Sequence, residues 1–155
     1  MGDTIGHSVS AILTQARDEI RANMQTQNIN ASGRTSAALQ VVQRGTKIEL
    51  IKAEGQNAPF QTLQYGRAGG KVPTGFYYII KQWTRDKGLS FANETERGTF
   101  AYFTARKIAL EGTQRHETPN EQVYSEPIKK ATESVEKAVK DYVLASVSVA
   151  IKANF

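Results

Sequence analysis

The sequence has no cysteine, and among its 155 residues it has only two histidines, one tryptophan and four prolines. Without cysteine the chain cannot form disulfides, thiolate zinc sites or a thiolate nucleophile. His7 and His116 lie in polar stretches, and neither has a histidine or carboxylate three or four residues further on that would complete a helical metal site. We therefore expect neither a metal nor a cofactor.

Catalytic motifs are also missing. The chain has no G-x-S-x-G segment, which in hydrolases places a nucleophilic serine on a strand-to-helix turn. Glutamates alternate with lysines along the predicted helices, a pattern typical of solvated ion pairs rather than of paired catalytic carboxylates. These absences predict a protein that is not an enzyme.

Long apolar runs are absent as well, since no run approaches the roughly 18 residues of a membrane span. The first residues, MGDTIGHSVSAIL, lack the basic and apolar regions of a secretory signal. With 39% apolar and 23% charged residues, the composition is that of a globular protein. We expect one domain over residues 1–155, soluble and made in the cytoplasm.

The net charge of the chain leaves nucleic-acid binding open as a function. The net charge is +5 and the sequence pI is about 9.5. A basic surplus is compatible with a polyanionic partner such as nucleic acid. However, opposite charges are interspersed along most of the chain, and a surplus of this size is common.

The first half of the chain is predicted to contain one long helix and a small sheet. Apolar residues recur every three or four positions over 8–28, with Ser8 as a plausible N-cap. Apolar and β-branched residues then favour strands on both sides of a turn at Gly45-Thr46. A third short strand is predicted over 60–65, so that the middle of the chain forms an antiparallel sheet.

The second half is predicted to be helical. The clearest helix spans 76–87, with Thr74 as its cap and Gly88 after its end. A capping box precedes a helix over 96–111, and a last helix opens at residues 125–127. Val147, Val149 and Ile151 alternate near the end of the chain. Residues 143–155 are therefore left open between helix and strand, and their apolar side chains pack either on their own core or on a partner.

The stretch YGRAGGKVP, residues 65–73, raises the question of phosphate binding. Gly66 and Gly70 are separated by three residues, one fewer than in a Walker A loop, and Val72 stands where the metal-binding hydroxyl should be. That spacing is too short to wrap backbone N–H groups around a phosphate. We therefore do not expect a nucleotide enzyme.

Three segments together resemble the tail-completion (neck, head–tail connector) proteins of tailed bacteriophages. YGRAGGKVP is similar to the family's glycine-arginine-glycine-lysine-proline loop, and IIKQWTRDKGL to an Ile-x-x-Trp helix that ends in Lys-Gly. FAYFTARKIALEGT is similar to a helix that carries Ala-Arg-Lys-Ile and ends in Gly-Thr. ASGRTSAAL resembles the family's Thr-Gly-x-Leu-x-x-Ser segment, but Ser32 replaces the threonine and the later order differs. The resemblance covers roughly residues 8–145.

The resemblance implies an α+β fold: a long N-terminal helix, a small antiparallel β-sheet, and two to three further helices packed on it. It also implies a virion protein without catalytic activity, made in the host cytoplasm. Many copies would form a ring at the head–tail junction, between portal or adaptor proteins and tail-tube proteins. Genomic DNA would pass through the ring.

Two sets of residues are singled out. Loop residues Arg67, Gly69, Gly70 and Lys71 are predicted to form an adaptable contact arm, and three placements of the basic pair stay open: a subunit interface, the DNA channel or solvent. Helical spacing predicts core positions for a second set: Ile80, Trp83, Phe100, Phe103 and Ile108. The alternative function is a small basic nucleic-acid-binding protein.

Overall fold

The computed structural model describes residues 3–29, 31–52 and 60–153. Over these residues the chain is mostly helical, with a single pair of antiparallel strands, so the predicted α+β class is confirmed. In chain order the elements are α1 (Asp3–Thr26), α2 (Arg34–Ala37), β1 (Leu39–Arg44), β2 (Lys47–Lys52), α3 (Phe60–Tyr65), α4 (Phe76–Asp86), α5 (Glu94–Glu111), α6 (Gln114–Glu117) and α7 (Ser125–Ala153).

The first core lies between α1, the β-hairpin and the start of α7. Its buried residues are Ile20 and Met24 of α1, Leu39 of β1 and Val123, and Leu50 and Leu63 pack against them. In the hairpin, Val41 pairs with Leu50 in a simple antiparallel register around the Gly45-Thr46 turn. The predicted hairpin and its turn are thus confirmed.

The second core lies between α4 and α5. Ile80 packs against Ala101 and Ala105, and Ala109 continues the same row of α5. Residues four apart lie on one face of a helix, so these alanines form a narrow strip that lets α4 approach closely. This core therefore contains one large buried side chain among small ones.

Several predicted helix ends are confirmed in detail. The Asn93 side chain accepts a hydrogen bond from the Glu96 N–H at 2.9 Å, and the Glu96 carboxylate accepts one from the Ala92 N–H at 2.7 Å. At the C-terminal end of α4, Leu89 N–H donates to Thr84 O and Gly88 N–H donates to Arg85 O. This pair of bonds is a Schellman motif, and the positive φ of Gly88 fits it.

Three predictions about individual elements are wrong. Segment 60–65 is a helix rather than a strand, because Leu63 and the buried Gln64 both face the protein and Gly66 N–H bonds to Thr62 O. The sheet consequently has two strands among the described residues. Helix α1 begins at Asp3, before Ser8, and Gly75 rather than Thr74 is the N-cap of α4.

Of the two alternatives left open for residues 143–155, helix and strand, the structure has the helix, since α7 continues to Ala153. A strand needs the backbone of a partner strand, whereas a helix satisfies its own hydrogen bonds. The hydroxyls of Ser146 and Ser148 donate to the carbonyls of Tyr142 and Leu144, which removes their polarity from the surface.

Candidate functional site

The glycine loop, residues 66–75 between α3 and α4, packs on the C-terminal end of α5. Gly70 N–H donates to Ala109 O at 2.7 Å, and Thr113 N–H donates to Arg67 O at 2.9 Å. Arg67 N–H in turn donates to the Thr113 hydroxyl at 2.9 Å. The loop therefore satisfies the Ala109 carbonyl, which the last turn of α5 leaves unpaired, and bonds to Thr113 just after the helix.

Close backbone approach explains why glycine stands at these positions. A Cβ on Gly69 would lie under 3.0 Å from backbone atoms of Leu110 and Glu111, and one on Gly66 would meet the backbone of residues 115–116. A Cβ on Gly112 would in turn meet Arg67 O at 2.6 Å. The two segments interlock, and neither has room for a side chain at these points.

The two basic residues of the loop have different environments. The Arg67 guanidinium donates to Lys71 O at 2.9 Å and lies over the Phe76 ring, 5.0 Å from its centroid. Arg67 therefore holds the loop in shape, while Lys71 is exposed. The prediction of an adaptable arm is wrong for Gly66–Gly70, because hydrogen bonds and steric contact fix this stretch to α5.

This placement also argues against phosphate binding. A phosphate site uses the N-terminus of a helix, where free N–H groups and the positive end of the helix dipole meet the anion. Residues 66–70 of the loop instead meet the C-terminal end of α5, and the N–H of Gly70 is already bonded to Ala109 O. The N–H groups of the loop thus serve the fold.

Of the predicted core anchors, Ile80 is buried and Ile108 packs against the second core. The prediction is wrong for the three aromatic residues: Trp83 is 38%, Phe100 40% and Phe103 64% exposed. The alanine strip of α5 is the buried face, and the aromatic side chains lie elsewhere around the helix. The prediction rests on the spacing of the largest apolar residues, whereas the smallest ones, the alanines, form the contact with α4.

Phe100 and Phe103 of α5, together with Phe91 just before it, form an outward-facing groove, here called the α5 groove. The rings of Phe91 and Phe100 lie 5.3 Å apart, and with Phe103 they line an open groove of about 460 Å³. Glu96 and Lys107 stand among its lining residues. Arg97 covers the Phe91 ring at 4.9 Å and so helps fix one wall of the groove.

A second apolar area lies on α4. Tyr78 is 72% and Ile79 61% exposed, and both line a cavity of about 530 Å³ that they share with Trp83. Trp83 also lines a neighbouring cavity of about 430 Å³, and Ile29 and Leu63 line both. Sequence reasoning placed Ile79 on the apolar face of α4 with Ile80 and did not single out Tyr78, although apolar residues on every side of α4 signalled that one of its faces must be exposed.

A third apolar area follows α7, where Val139, Val143 and Val147 recur every four residues and are about half exposed. Leu144 adjoins them and is exposed to a similar degree. The sequence alternatives left open for 143–155 were packing on the chain's own core or on a partner. The four side chains named here are exposed in the single chain, and those of residues 149–155 lie outside the description.

Charges near the α4–α5 surface are largely paired. Glu94 accepts from Arg85 at 2.8 Å and from Arg97 at 3.0 Å, and Lys81 lies 3.3 Å away. Hydrogen bonds from Arg85 and then Lys81 hold the pKa of the Glu94 carboxyl below its usual range. Three basic residues are thus engaged by one carboxylate and do not form a free cationic patch.

No group of three or more metal-ligating side chains occurs within the described part of the chain. Within the same residues, no helix combines the length and the apolar character that crossing a membrane requires. No protein-family model, curated protein or solved structure matches the chain.

Proposed function

We propose that this protein is a structural subunit of a tailed-phage virion, assembled as an oligomeric ring at the head–tail junction. In this role it has no catalytic activity. It joins portal-side and tail-side proteins by presenting complementary surfaces, and genomic DNA passes through the ring.

The exposed apolar surface of α4 and α5 is the observation that carries the proposal. Tyr78, Ile79, Tyr102 and Phe103 are all more than half exposed. Contiguous exposed apolar areas typically mark interaction sites on soluble proteins. Exposed apolar side chains of this kind are expected on a subunit whose neighbours cover them in an assembly.

The interlocked loop gives a second, independent line of support. Two of the three segments that carry the family resemblance, residues 65–73 and 100–113, are distant in sequence but in contact through Gly70 and Ala109. A chance resemblance in two separate segments would not require them to meet. Their contact gives the paired motifs a common structural purpose.

The alternative, a nucleic-acid-binding protein, finds less support. Such a protein should place basic residues and exposed aromatics on one face. Aromatic residues are exposed here, but Lys81, Arg85 and Arg97 beside them are bound to Glu94. Arg34 is similarly paired with Asp86 at 2.9 Å.

Light scattering of the purified protein, at low and high salt and with and without duplex DNA, tests the proposal. A closed ring, or a monomer that does not bind DNA, agrees with an assembly subunit. A stoichiometric DNA complex that dissociates as salt rises would contradict it and indicate the nucleic-acid binder. Lys71→Ala serves as the matched variant: it should leave the mass unchanged in a ring protein and weaken DNA binding in a nucleic-acid binder.

A further inference from the structure

The end of α7 extends past the start of α1, the helix on which it packs among the described residues. Lys130 of α7 bonds Glu19 of α1 at 3.0 Å, and Asn23 bonds the Gln122 carbonyl at 2.6 Å, so the two helices run antiparallel. Helix α1 begins at Asp3, 16 residues before Glu19, and 16 residues after Lys130 is Ser146. From there to Ala153, α7 projects by about 10 Å at 1.5 Å per residue.

The sequence of this projecting end is mostly apolar, with small residues and one charged residue, Lys152. Residues 142–151 contain no charged side chain, and valine, alanine and serine dominate them. Because the hydroxyls of Ser146 and Ser148 donate back to carbonyls of the same helix, the end offers few polar groups outward. Val139, Val143 and Val147 continue onto it as one ridge.

From these features we infer that the ridge of α7, residues Val139, Val143 and Val147, packs in the α5 groove of a second copy of this chain. This contact rests on the proposed function and names the surfaces that would form the ring. Small β-branched side chains on the ridge complement the large rings of Phe91, Phe100 and Phe103 that line the groove. Because ridge and groove are different surfaces, the contact is heterologous and can repeat around a ring.

The size of the groove favours a repeating contact over a symmetric dimer. Taking about 200 Å² per aromatic side chain, the exposed parts of Phe100 and Phe103 in the groove amount to about 200 Å². A stable two-protein interface buries about 800 Å² per partner. A groove-to-groove dimer would thus be weak, whereas each subunit of a closed ring is held at two contacts.

Charge order sets the direction of the contact. Glu96 stands at the N-terminal end of the groove and Lys107 at its C-terminal end, while Glu136 precedes Lys140 beside the ridge. An antiparallel crossing brings unlike charges towards each other, and a parallel one brings like charges together. The ridge should therefore cross α5 of the neighbour in the antiparallel sense.

Cross-linking tests the contact directly, since the chain has no cysteine of its own. The double variant Phe103→Cys/Val143→Cys, treated with a short bis-maleimide, should give a ladder of covalent oligomers. Either single variant should give no ladder. A covalent dimer from Phe103→Cys alone would indicate a groove-to-groove contact, and no ladder from the double variant would overturn the inference.

Complementation gives a second test. Phe103→Glu and Val143→Glu should each abolish self-association, but an equimolar mixture should form a one-to-one dimer, because each variant keeps one intact surface. Gln40→Glu, an exposed control on β1, should leave self-association unchanged. Mixtures that stay monomeric would contradict the pairing, and circular dichroism establishes that each variant is folded.

The outcomes separate this contact from the proposed function. Rings that form without the ladder would leave the proposed function standing and refute the surfaces named here. A chain that stays monomeric at every concentration and does not bind DNA would also refute the contact and leave the proposed function standing. Salt-sensitive binding of duplex DNA by a monomer would refute both.

Discussion

Individual glycine residues decide how the loop between α3 and α4 is held. Gly69 has no positive φ, so its requirement for glycine comes from the neighbouring backbone of α5 and not from its own conformation. Gly6, on α1, differs because a Cβ there would make an ordinary 3.9 Å contact with Ile48. Replacing glycine by alanine should therefore have opposite effects on stability at the two positions.

We expect Gly69→Ala to destabilise the protein by about 1–3 kcal/mol, because the added methyl group must push the loop off the end of α5. Gly6→Ala should stabilise it by about 0.5 kcal/mol, since alanine is the better helix former. Urea unfolding of the two variants beside the parent protein measures both. Equal effects of the same sign would show that loop and helix are not in contact.

At the scale of elements, the junction of α4 and α5 depends on one exposed carboxylate as well as on the alanine strip. Glu94 begins α5 and bonds Arg85 of α4 and Arg97 of its own helix, with Lys81 of α4 close by. Acidic residues also favour the first turn of a helix through its dipole. Glu94 thus connects the end of one helix to the start of the next.

The lowered pKa of Glu94 gives this connection a pH dependence. Because the folded pKa lies below the unfolded one, the stabilisation is present above the ordinary value of about 4.5 and is lost as the pH falls through the folded pKa. Glu94→Gln should therefore be less stable than the parent at pH 7, and this deficit should be smaller at pH 3. Urea midpoints at both pH values measure the difference.

Glu111→Gln is the control for this experiment, because its partner Lys107 is 4.0 Å away and both side chains are exposed. Such a surface pair contributes little to stability. A Glu94→Gln variant that kept its full deficit at pH 3 would show that the glutamine disturbs packing rather than removing a charge.

The sequence predicts an element correctly where interactions between nearby residues determine it. The hairpin, the capping box at Asn93 and the glycine end of α4 follow from short-range chemistry, and the structure has them. The helix at 60–65 could not be foreseen, because Gln64 is buried there by accepting hydrogen bonds from the N–H groups of Tyr124 and Ser125, 60 residues away. Long-range partners of this kind leave no local pattern.

The candidate site was foreseen in part for the same reason. Spacing identified the loop and the aromatic residues as notable, but which face of α5 is buried depends on its contact with α4. Trp83, Phe100 and Phe103 were assigned to the core because large apolar residues usually occupy it. Ala101, Ala105 and Ala109 occupy it instead.

On the scale of the whole molecule, the chain contains two cores of unequal strength. Ile20, Met24 and Leu39 fill the first, while the second has Ile80 as its large buried residue beside alanines. The α4–α5 pair contacts the rest through the glycine loop, the Arg34–Asp86 ion pair and the bonds of Lys87 to Asn28. Less apolar surface is buried there, so this pair should open first.

Native-state hydrogen exchange should accordingly give α4 and α5 amides about tenfold smaller protection than the middle of α1. Ile80→Ala should lower the protection of α4 and α5 while leaving that of α1 nearly unchanged, and Met24→Ala should lower both. Mass spectrometry of the exchanging protein measures the three profiles. Equal protection in both cores would show that the molecule opens as a single unit.

The interlocked glycines have an evolutionary consequence. Gly69 lies against the backbone at 110–111, and Gly112 lies against the backbone at 67–69. The backbone of each segment therefore limits the size of the residue that the other can carry at this point. A larger residue in one segment becomes acceptable only after the other has moved away. Mutations here are epistatic, and a mutational scan of either segment alone would find nearly every replacement harmful, while paired libraries would recover combinations that neither single scan predicts.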